Sequence, residues 1–148
     1  MSENRKWVRQ DTRLEAEGAE FLVLGNLLIE GITAHKTYTN IPGYDIIASN
    51  PEMHRSARIQ VKSRWKTKAE GFIIKNFDCD FVVIVKLNRG SKDGKAAVLA
   101  PDCYVLPVAA VKSLPRTEGW GKVSFRSIEN LQEFHQRWNL IRDFLEKG

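Results

Sequence analysis

GYDIIA (residues 43–48) and ARIQVKSR (residues 57–64) are the two segments that decide the predicted fold of this chain. Each is typical of a short β-strand, and the link between them holds a proline and polar residues that favour a turn. If the two strands pair, the carboxylate of Asp45, the amide of Gln60 and the ammonium group of Lys62 meet at one edge of a sheet. This combination of groups suits a divalent metal ion and a phosphodiester.

Successive side chains of a strand point to opposite faces of its sheet. One face of the second strand is therefore predicted to carry Ile59, Val61, Ser63 and Trp65. The other face is predicted to carry Arg58, Gln60, Lys62, Arg64 and Lys66.

A helix is predicted before these strands. Asp11 or Thr12 can cap its start, and Gly31 is suited to its end. Apolar and small residues recur along it at steps of four and three, which predicts a face that packs on the sheet. That predicted face consists of Leu14, Gly18, Phe21, Gly25, Leu28 and Ile32. Glu20 lies beside it, and composition alone favours an ordinary surface carboxylate there.

The rest of the chain continues the alternation of strands and helices. Strands are predicted at residues 32–38, 71–75, 81–85, 96–99, 103–106 and 123–125, and helices at residues 108–114 and 128–146. Residues 81–85, FVVIV, are apolar throughout, which indicates a strand buried on both faces. We therefore predict an α/β fold with a mixed central sheet of about five strands flanked by helices. Residues 11–148 are expected to form one domain, preceded by a flexible basic arm at residues 1–10.

Composition excludes several classes of protein. The chain has 148 residues, of which 43% are hydrophobic and 28% charged, as in ordinary folded domains. It contains no apolar run of membrane-spanning length and no apolar signal segment, so we expect a cytoplasmic protein without a membrane partner. Cys79 and Cys103 lack the neighbours of a zinc site, and we expect two reduced, buried thiols. The sequence contains no glycine-rich phosphate loop, so we expect no nucleotide cofactor.

The charge distribution favours a polyanionic partner. The net charge is +5, and residues 53–69 contain no acidic residue. The basic residues predicted to bind nucleic acid are Arg55, Arg58, Arg64, Lys66 and Lys68. A run of one sign beside a candidate metal site favours a phosphate-binding surface over a solubilising face.

The order of these elements resembles the PD-(D/E)XK nuclease superfamily, which has a restriction-endonuclease-like fold. The helix containing Glu20, the segment PGYD ending at Asp45 and the segment IQVKS around Gln60 and Lys62 correspond to that family's successive motifs. The chain departs from the commonest pattern at Gln60, where Asp or Glu is usual. A glutamine oxygen can still ligate Mg²⁺ but brings no charge.

The resemblance implies a metal-dependent active site. Asp45, the Gln60 amide oxygen, the Val61 backbone carbonyl and Glu20 would bind Mg²⁺, for which Mn²⁺ can substitute. Lys62 would orient or deprotonate a water molecule, or stabilise the phosphoryl group. The alternative for Asp45 and Lys62 is a buried ion pair with no catalytic role.

The function expected from this resemblance is Mg²⁺-dependent endonuclease cleavage of DNA. Cutting two strands or a branched junction would require two active sites, and hence a homodimer or tetramer. The alternatives are a non-catalytic nucleic-acid-binding protein and a subunit of a larger defence or repair complex.

Overall fold

The apolar segment at residues 81–85 forms an interior strand of a five-stranded mixed sheet in the computed structural model, which describes residues 12–37 and 43–147. The strands within these ranges are Thr33–Lys36 (β1), Ile46–Asn50 (β2), Arg55–Arg64 (β3), Gly71–Ile73 (β4), Phe81–Lys86 (β5), Asp102–Pro107 (β6) and Lys122–Ser124 (β7). The α-helices are Thr12–Ile29 (α1), Val108–Lys112 (α2) and Asn139–Glu146 (α3). Short 3-10 turns lie at Pro51–Met53, Phe125–Ser127 and Leu131–Phe134.

The main sheet has the strand order β1-β2-β3-β5-β6. β3 and β5 are parallel, whereas the other neighbouring pairs are antiparallel. The predicted pairing of β2 with β3 is confirmed, with Ile46 opposite Ile59. β4 and β7 form a separate antiparallel pair. The predicted fold class, an α/β fold with a mixed five-stranded sheet, is therefore confirmed.

The period-two alternation of β5 divides the core into two layers. Phe81, Val83 and Val85 pack in one hydrophobic cluster with residues of α1 and α3. Val82 and Ile84 pack on the other face with residues of β4, β6 and α2. All five side chains are buried, so the prediction of a strand covered on both faces is confirmed.

The predicted packing face of α1 is wrong. Ala19, Val23 and Leu27 are the buried residues of this helix, whereas Leu14, Phe21 and Leu28 are exposed. A further residue of the predicted face, Ile32, is buried, but it follows the helix. Both sides of α1 are apolar, so periodicity could not decide which side meets the sheet. The small side chain of Ala19 allows the helix to lie close to the strands.

The predicted helix over residues 128–146 is also wrong in its first half. α3 begins only at Asn139, after a 3-10 turn at Leu131–Phe134. Asn130 and Gln136 adopt left-handed backbone conformations with φ of 57° and 55°, which interrupt a right-handed helix. The backbone nitrogen of Gln136 donates instead to the Cys103 backbone carbonyl of β6, 2.9 Å away.

Two other expectations concern residues 96–99 and residues 1–10. Residues 96–99 do not form the predicted strand. Side chains bind the carbonyls in this region: Thr67 Oγ1 donates to the Ala97 carbonyl and Asn88 Nδ2 to the Ala100 carbonyl. The predicted basic arm, residues 1–10, and Tyr38 lie outside the described residues.

The cysteines agree with the expectation of two reduced, buried thiols. Cys79 and Cys103 are both buried and free of disulfide bonds. No helix in the described ranges is both long and apolar enough to cross a membrane.

Candidate active site

Asp45 lies immediately before β2, where the hydrogen-bonded ladder with β3 ends. Its backbone nitrogen donates to the Ile59 carbonyl at 2.8 Å, which continues the pairing by one residue. Its carboxylate oxygen Oδ2 then accepts a hydrogen bond from the Val61 backbone nitrogen at 2.8 Å. The side chain thus takes the place of a further strand residue and is held against the middle of β3.

Asp45, Gln60, Val61 and Lys62 line one pocket of about 330 Å³. The other lining residues are Gly43, Tyr44, Ile73, Lys75 and Asn76. The pocket lies at the start of β2, an interior strand of the sheet, rather than along an outer strand. The structure therefore brings together the carboxylate, amide and ammonium groups that the sequence singled out.

The Gln60 amide has a defined orientation. Its nitrogen Nε2 donates to the Gly43 carbonyl at 2.9 Å and to the Asn76 carbonyl at 2.7 Å, and it lies 3.7 Å from Cys79 Sγ. Gly43 has a φ of 99°, and an added Cβ would lie 2.8 Å from Asp78 O, so this position requires glycine. With Nε2 held by two carbonyls, Oε1 is left to serve as a metal ligand. A carboxylate at position 60 in place of the Gln60 amide would face the Gly43 and Asn76 carbonyl oxygens.

The Val61 carbonyl is the fourth oxygen that the resemblance implies. The Val61 nitrogen points toward Asp45, on the side of β3 that faces β2. The N–H and C=O of a strand residue point to the same side, so the Val61 carbonyl also faces this space.

Lys36 is a site residue that the sequence analysis missed. Its side chain is only 3% exposed, and Nζ lies 3.3 Å from Glu20 Oε1 and also contacts the Glu17 carboxylate. Nζ lies 4.3 Å from the centroid of the Phe21 ring. The available signal was alternation in β1, which places Lys36 on the same side as the buried Ile32. A lysine on a buried face requires a charged partner.

Burial and charge shift the pKa values of the site. Burial, with a smaller contribution from the negative charge of Asp45, raises the pKa of Glu20 to about 7. Burial also raises the pKa of Asp45, although the Val61 N–H, Lys62 and Lys36 oppose this. Burial lowers the pKa of Lys62 despite the nearby Asp45. Two partly buried carboxylates whose pKa values are both raised by burial form a place where a cation is favoured.

The candidate ligand set is unusual in depending on neutral oxygens. No group of three or more His, Cys, Asp or Glu side chains in the described parts of the chain could hold a metal ion. Glu20 and Asp45 supply the carboxylates, and the Gln60 amide and the Val61 carbonyl would complete the set. All four donors are oxygen atoms, the type that Mg²⁺ prefers.

The predicted nucleic-acid-binding residues fall into two groups. Arg55 and Arg58 have partners within the protein: Arg55 Nε donates to the Phe144 carbonyl at 2.9 Å, and Arg58 pairs with Asp78 and Asp80. Arg55 also lies at the far end of β3, roughly 20 Å from Lys62 at the usual rise per strand residue.

The second group lies near the site. Arg64 shares a larger groove with Lys62, whereas Lys66 and Lys68 are exposed beyond the end of β3. We call this groove, of about 820 Å³, the basic groove. Its lining residues are Thr12, Arg13, Glu15, Ala16, Val61, Lys62, Ser63, Arg64, Phe72, Ile73 and Lys122. It shares Val61, Lys62 and Ile73 with the smaller pocket, so the two are continuous.

The sequence analysis did not identify Arg13 or Lys122 as candidates for this surface. They lie on α1 and β7, far from the basic run in the sequence. Only the folding of these elements around β3 places their charges beside Lys62.

Comparisons with other proteins bear on the fold. No protein-family model and no characterised protein matches this chain in sequence. One solved structure, described as a bacterial homing endonuclease, I-Ssp6803I, is similar to it with a TM-score of 0.56. The alignment covers 90% of this chain and 94% of that chain, at 20% sequence identity. The chain therefore shares the overall fold of that structure. At this identity the likeness carries no information on activity.

Proposed function

We propose that this protein is a Mg²⁺-dependent endonuclease of the PD-(D/E)XK type that hydrolyses DNA phosphodiester bonds, with Mn²⁺ able to replace Mg²⁺. The observation that carries the proposal is the shared pocket of Asp45, Gln60 and Lys62, which come from two neighbouring strands. The proposal also agrees with the fold that this chain shares with a structure described as a homing endonuclease.

The donors fit a hard divalent cation. Glu20, Asp45, the Gln60 Oε1 and the Val61 carbonyl would hold it. Bound there, Mg²⁺ would lower the pKa of a water ligand and neutralise negative charge on the phosphate. The protein prepares this site by fixing the Gln60 amide through two backbone carbonyls and the Asp45 carboxylate through the Val61 N–H.

Lys62 would act on the attacking water. Burial lowers the pKa of Lys62, which brings its amine closer to accepting a proton near neutral pH. In the proposed step a water proton moves to Lys62 Nζ, the water oxygen bonds to phosphorus, and the bond to the leaving oxygen breaks. If Lys62 stays protonated, it would instead stabilise negative charge on the phosphoryl oxygens.

Lys36 would serve as the counter-ion of the metal-free site. It lies against Glu17 and Glu20 and attracts Asp45 electrostatically. Without it, the carboxylates of an empty site would repel each other in a partly buried place.

The basic groove would hold the DNA backbone beside the site. Lys62, Arg64 and Lys122 line it, and Lys66 and Lys68 extend the positive surface past the end of β3. Arg55 would contribute less because it lies at the far end of β3, and Arg58 because its guanidinium group is paired with two carboxylates. Cleavage of both strands would further require a homodimer or tetramer.

Metal-dependent cleavage tests this function. Supercoiled plasmid, linear duplex and branched DNA are incubated with Mg²⁺, Mn²⁺ or EDTA. Wild type should cut only with metal, and Asp45→Ala and Lys62→Ala should each lose cleavage by at least about 100-fold. Asp143→Ala and Lys112→Ala change exposed residues outside the site and serve as matched controls.

The second candidate is a non-catalytic nucleic-acid-binding protein, alone or in a larger defence or repair complex. The neutral Gln60 favours it, because the ligand set carries one charge fewer than the usual motif. In that case the wild type would bind DNA in EDTA but would not cut it with Mg²⁺ or Mn²⁺. Asp45→Ala and Lys62→Ala would then show the same absence of cleavage as the wild type. That result would refute the nuclease proposal.

A further inference from the structure

The side of α1 that faces away from the sheet is apolar and exposed. Leu14 is 72% exposed, Phe21 and Leu28 are each 52% exposed, and Ile29 is 83% exposed. Leu14, Gly18, Phe21, Gly25 and Leu28, which we call the outer face of α1, recur at steps of four and three and so form one stripe. Because Ala19, Val23 and Leu27 are buried on the opposite side, the helix carries apolar residues on two opposite sides. An exposed apolar stripe of this kind is typical of an interaction surface.

The two glycines of the outer face have no role in packing among the described residues. A Cβ added at Gly18 or at Gly25 would meet nothing within 4 Å there. Both have ordinary helical backbone, where glycine is less favourable than alanine. The described part of one copy therefore gives no reason for glycine at these positions, whereas close approach of a second helix would.

The order of residues on the outer face indicates which partner fits. Along this stripe the residues occur in the order leucine, glycine, phenylalanine, glycine and leucine, at positions 14, 18, 21, 25 and 28. The order is the same when it is traced from either end of the helix. A twofold symmetric interface requires a patch that is complementary to itself. In an antiparallel pair centred on Phe21, Leu14 of one copy lies near Leu28 of the other. The glycines leave space on either side of the phenylalanine.

We propose that the outer face of α1 packs against the same face of a second copy, antiparallel, with the twofold axis near Phe21. Charge does not oppose this, because Glu17 at the margin is already paired with Lys36. A stable interface buries about 800 Å² per partner. Leu14, Phe21 and Leu28 of the outer face, with Ile29 at its margin, are each more than half exposed and supply part of that area.

The pairing would place two candidate active sites on either side of the interface. Glu20 is adjacent to Phe21 in the sequence, and Lys36 contacts both of them. Each site would therefore lie close to the twofold axis, which suits a substrate with two strands to cut. This consequence rests on the proposed nuclease function, whereas the pairing itself does not.

The test measures oligomeric state by sedimentation velocity, from about 1 to about 100 µM protein, without metal or DNA. Wild type should be a dimer whose dissociation constant is in or below this range. The double variant Gly18→Ala with Gly25→Ala adds two methyl groups that meet none of the described residues of the same copy and favour the helix. It should weaken dimerisation by at least about 10-fold while circular dichroism shows an unchanged fold.

Two further variants separate the interface from general surface effects. Leu14→Lys with Leu28→Lys should give a monomer. Leu99→Lys, at a residue that is 51% exposed elsewhere, should leave the dissociation constant unchanged. A wild-type monomer at about 100 µM would overturn the proposal, as would an unchanged dissociation constant in the glycine double variant. A dimer without nuclease activity would refute the proposed function alone.

Discussion

Replacing Lys36 by methionine tests whether this lysine holds the metal-free site together. Methionine keeps the apolar stem and its contact with Phe21 but removes the ammonium group that lies 3.3 Å from Glu20 Oε1. Glu20 and Asp45 then lose a positive neighbour in a partly buried site.

The expected loss of stability follows from the burial of the two partners. Removing one member of a buried ion pair typically costs about 3–5 kcal/mol. The side chains of Lys36 and Glu20 are 3% and 19% exposed, but that of Glu17 is 52% exposed and remains solvated. Solvent screening of Glu17 reduces the expected loss in the free energy of unfolding to about 2–3 kcal/mol at pH 8.

The loss should depend on pH in a defined direction. The folded-state pKa of Glu20 is already raised from 4.5 to about 7, and loss of Lys36 raises it further. Between pH 4.5 and about 7 the folded protein binds more protons at Glu20 than the unfolded chain does, so the free energy of unfolding falls as pH rises. At pH 5 Glu20 is protonated when folded, and the substitution should cost less than about 1 kcal/mol.

Urea unfolding at pH 5 and pH 8, in EDTA or in Mg²⁺, measures these differences. Mg²⁺ at about 100 times its dissociation constant stabilises a folded protein by about 2.7 kcal/mol, and it should recover much of the loss in Lys36→Met at pH 8. Lys112→Met, at an exposed lysine of α2, is the control and should change stability by less than about 0.5 kcal/mol. An equal loss at both pH values, or no recovery with Mg²⁺, would refute the counter-ion role.

Three further predictions test other parts of the site and fold. Gln60→Glu should lower stability by about 2–4 kcal/mol at pH 8 in urea unfolding, because a carboxylate would face two backbone carbonyls; an unchanged midpoint would contradict the assigned amide orientation. Lys122→Ala should reduce the slope of log Kd against log salt for duplex DNA by about 1 in anisotropy titrations, whereas Arg58→Ala, paired with acidic residues, should change it far less. Leu27→Ala should cost about 3 kcal/mol in dilute protein and Leu28→Ala less than about 1, and the reverse order would mean that the wrong side of α1 has been assigned to the core.

The sequence alone was sufficient to predict the strand pair and the residues that meet beside it. Alternation has a period of two in a strand, so Gln60 and Lys62 had to share a face. The turn between β2 and β3 then required the two strands to be neighbours. The burial of β5 on both faces followed equally from its unbroken apolar composition. These are local properties, set by residues close to one another along the chain.

Tertiary structure decided which side of each element meets which partner. Periodicity defines the two faces of α1 but does not select one, and only the sheet shows that Val23 rather than Phe21 is buried. The Gln60 orientation depends on carbonyls 16 and 17 residues away, and the Lys36 partner Glu20 lies on another element. Contacts between distant segments depend on how the whole chain packs, and no local pattern of residues encodes that.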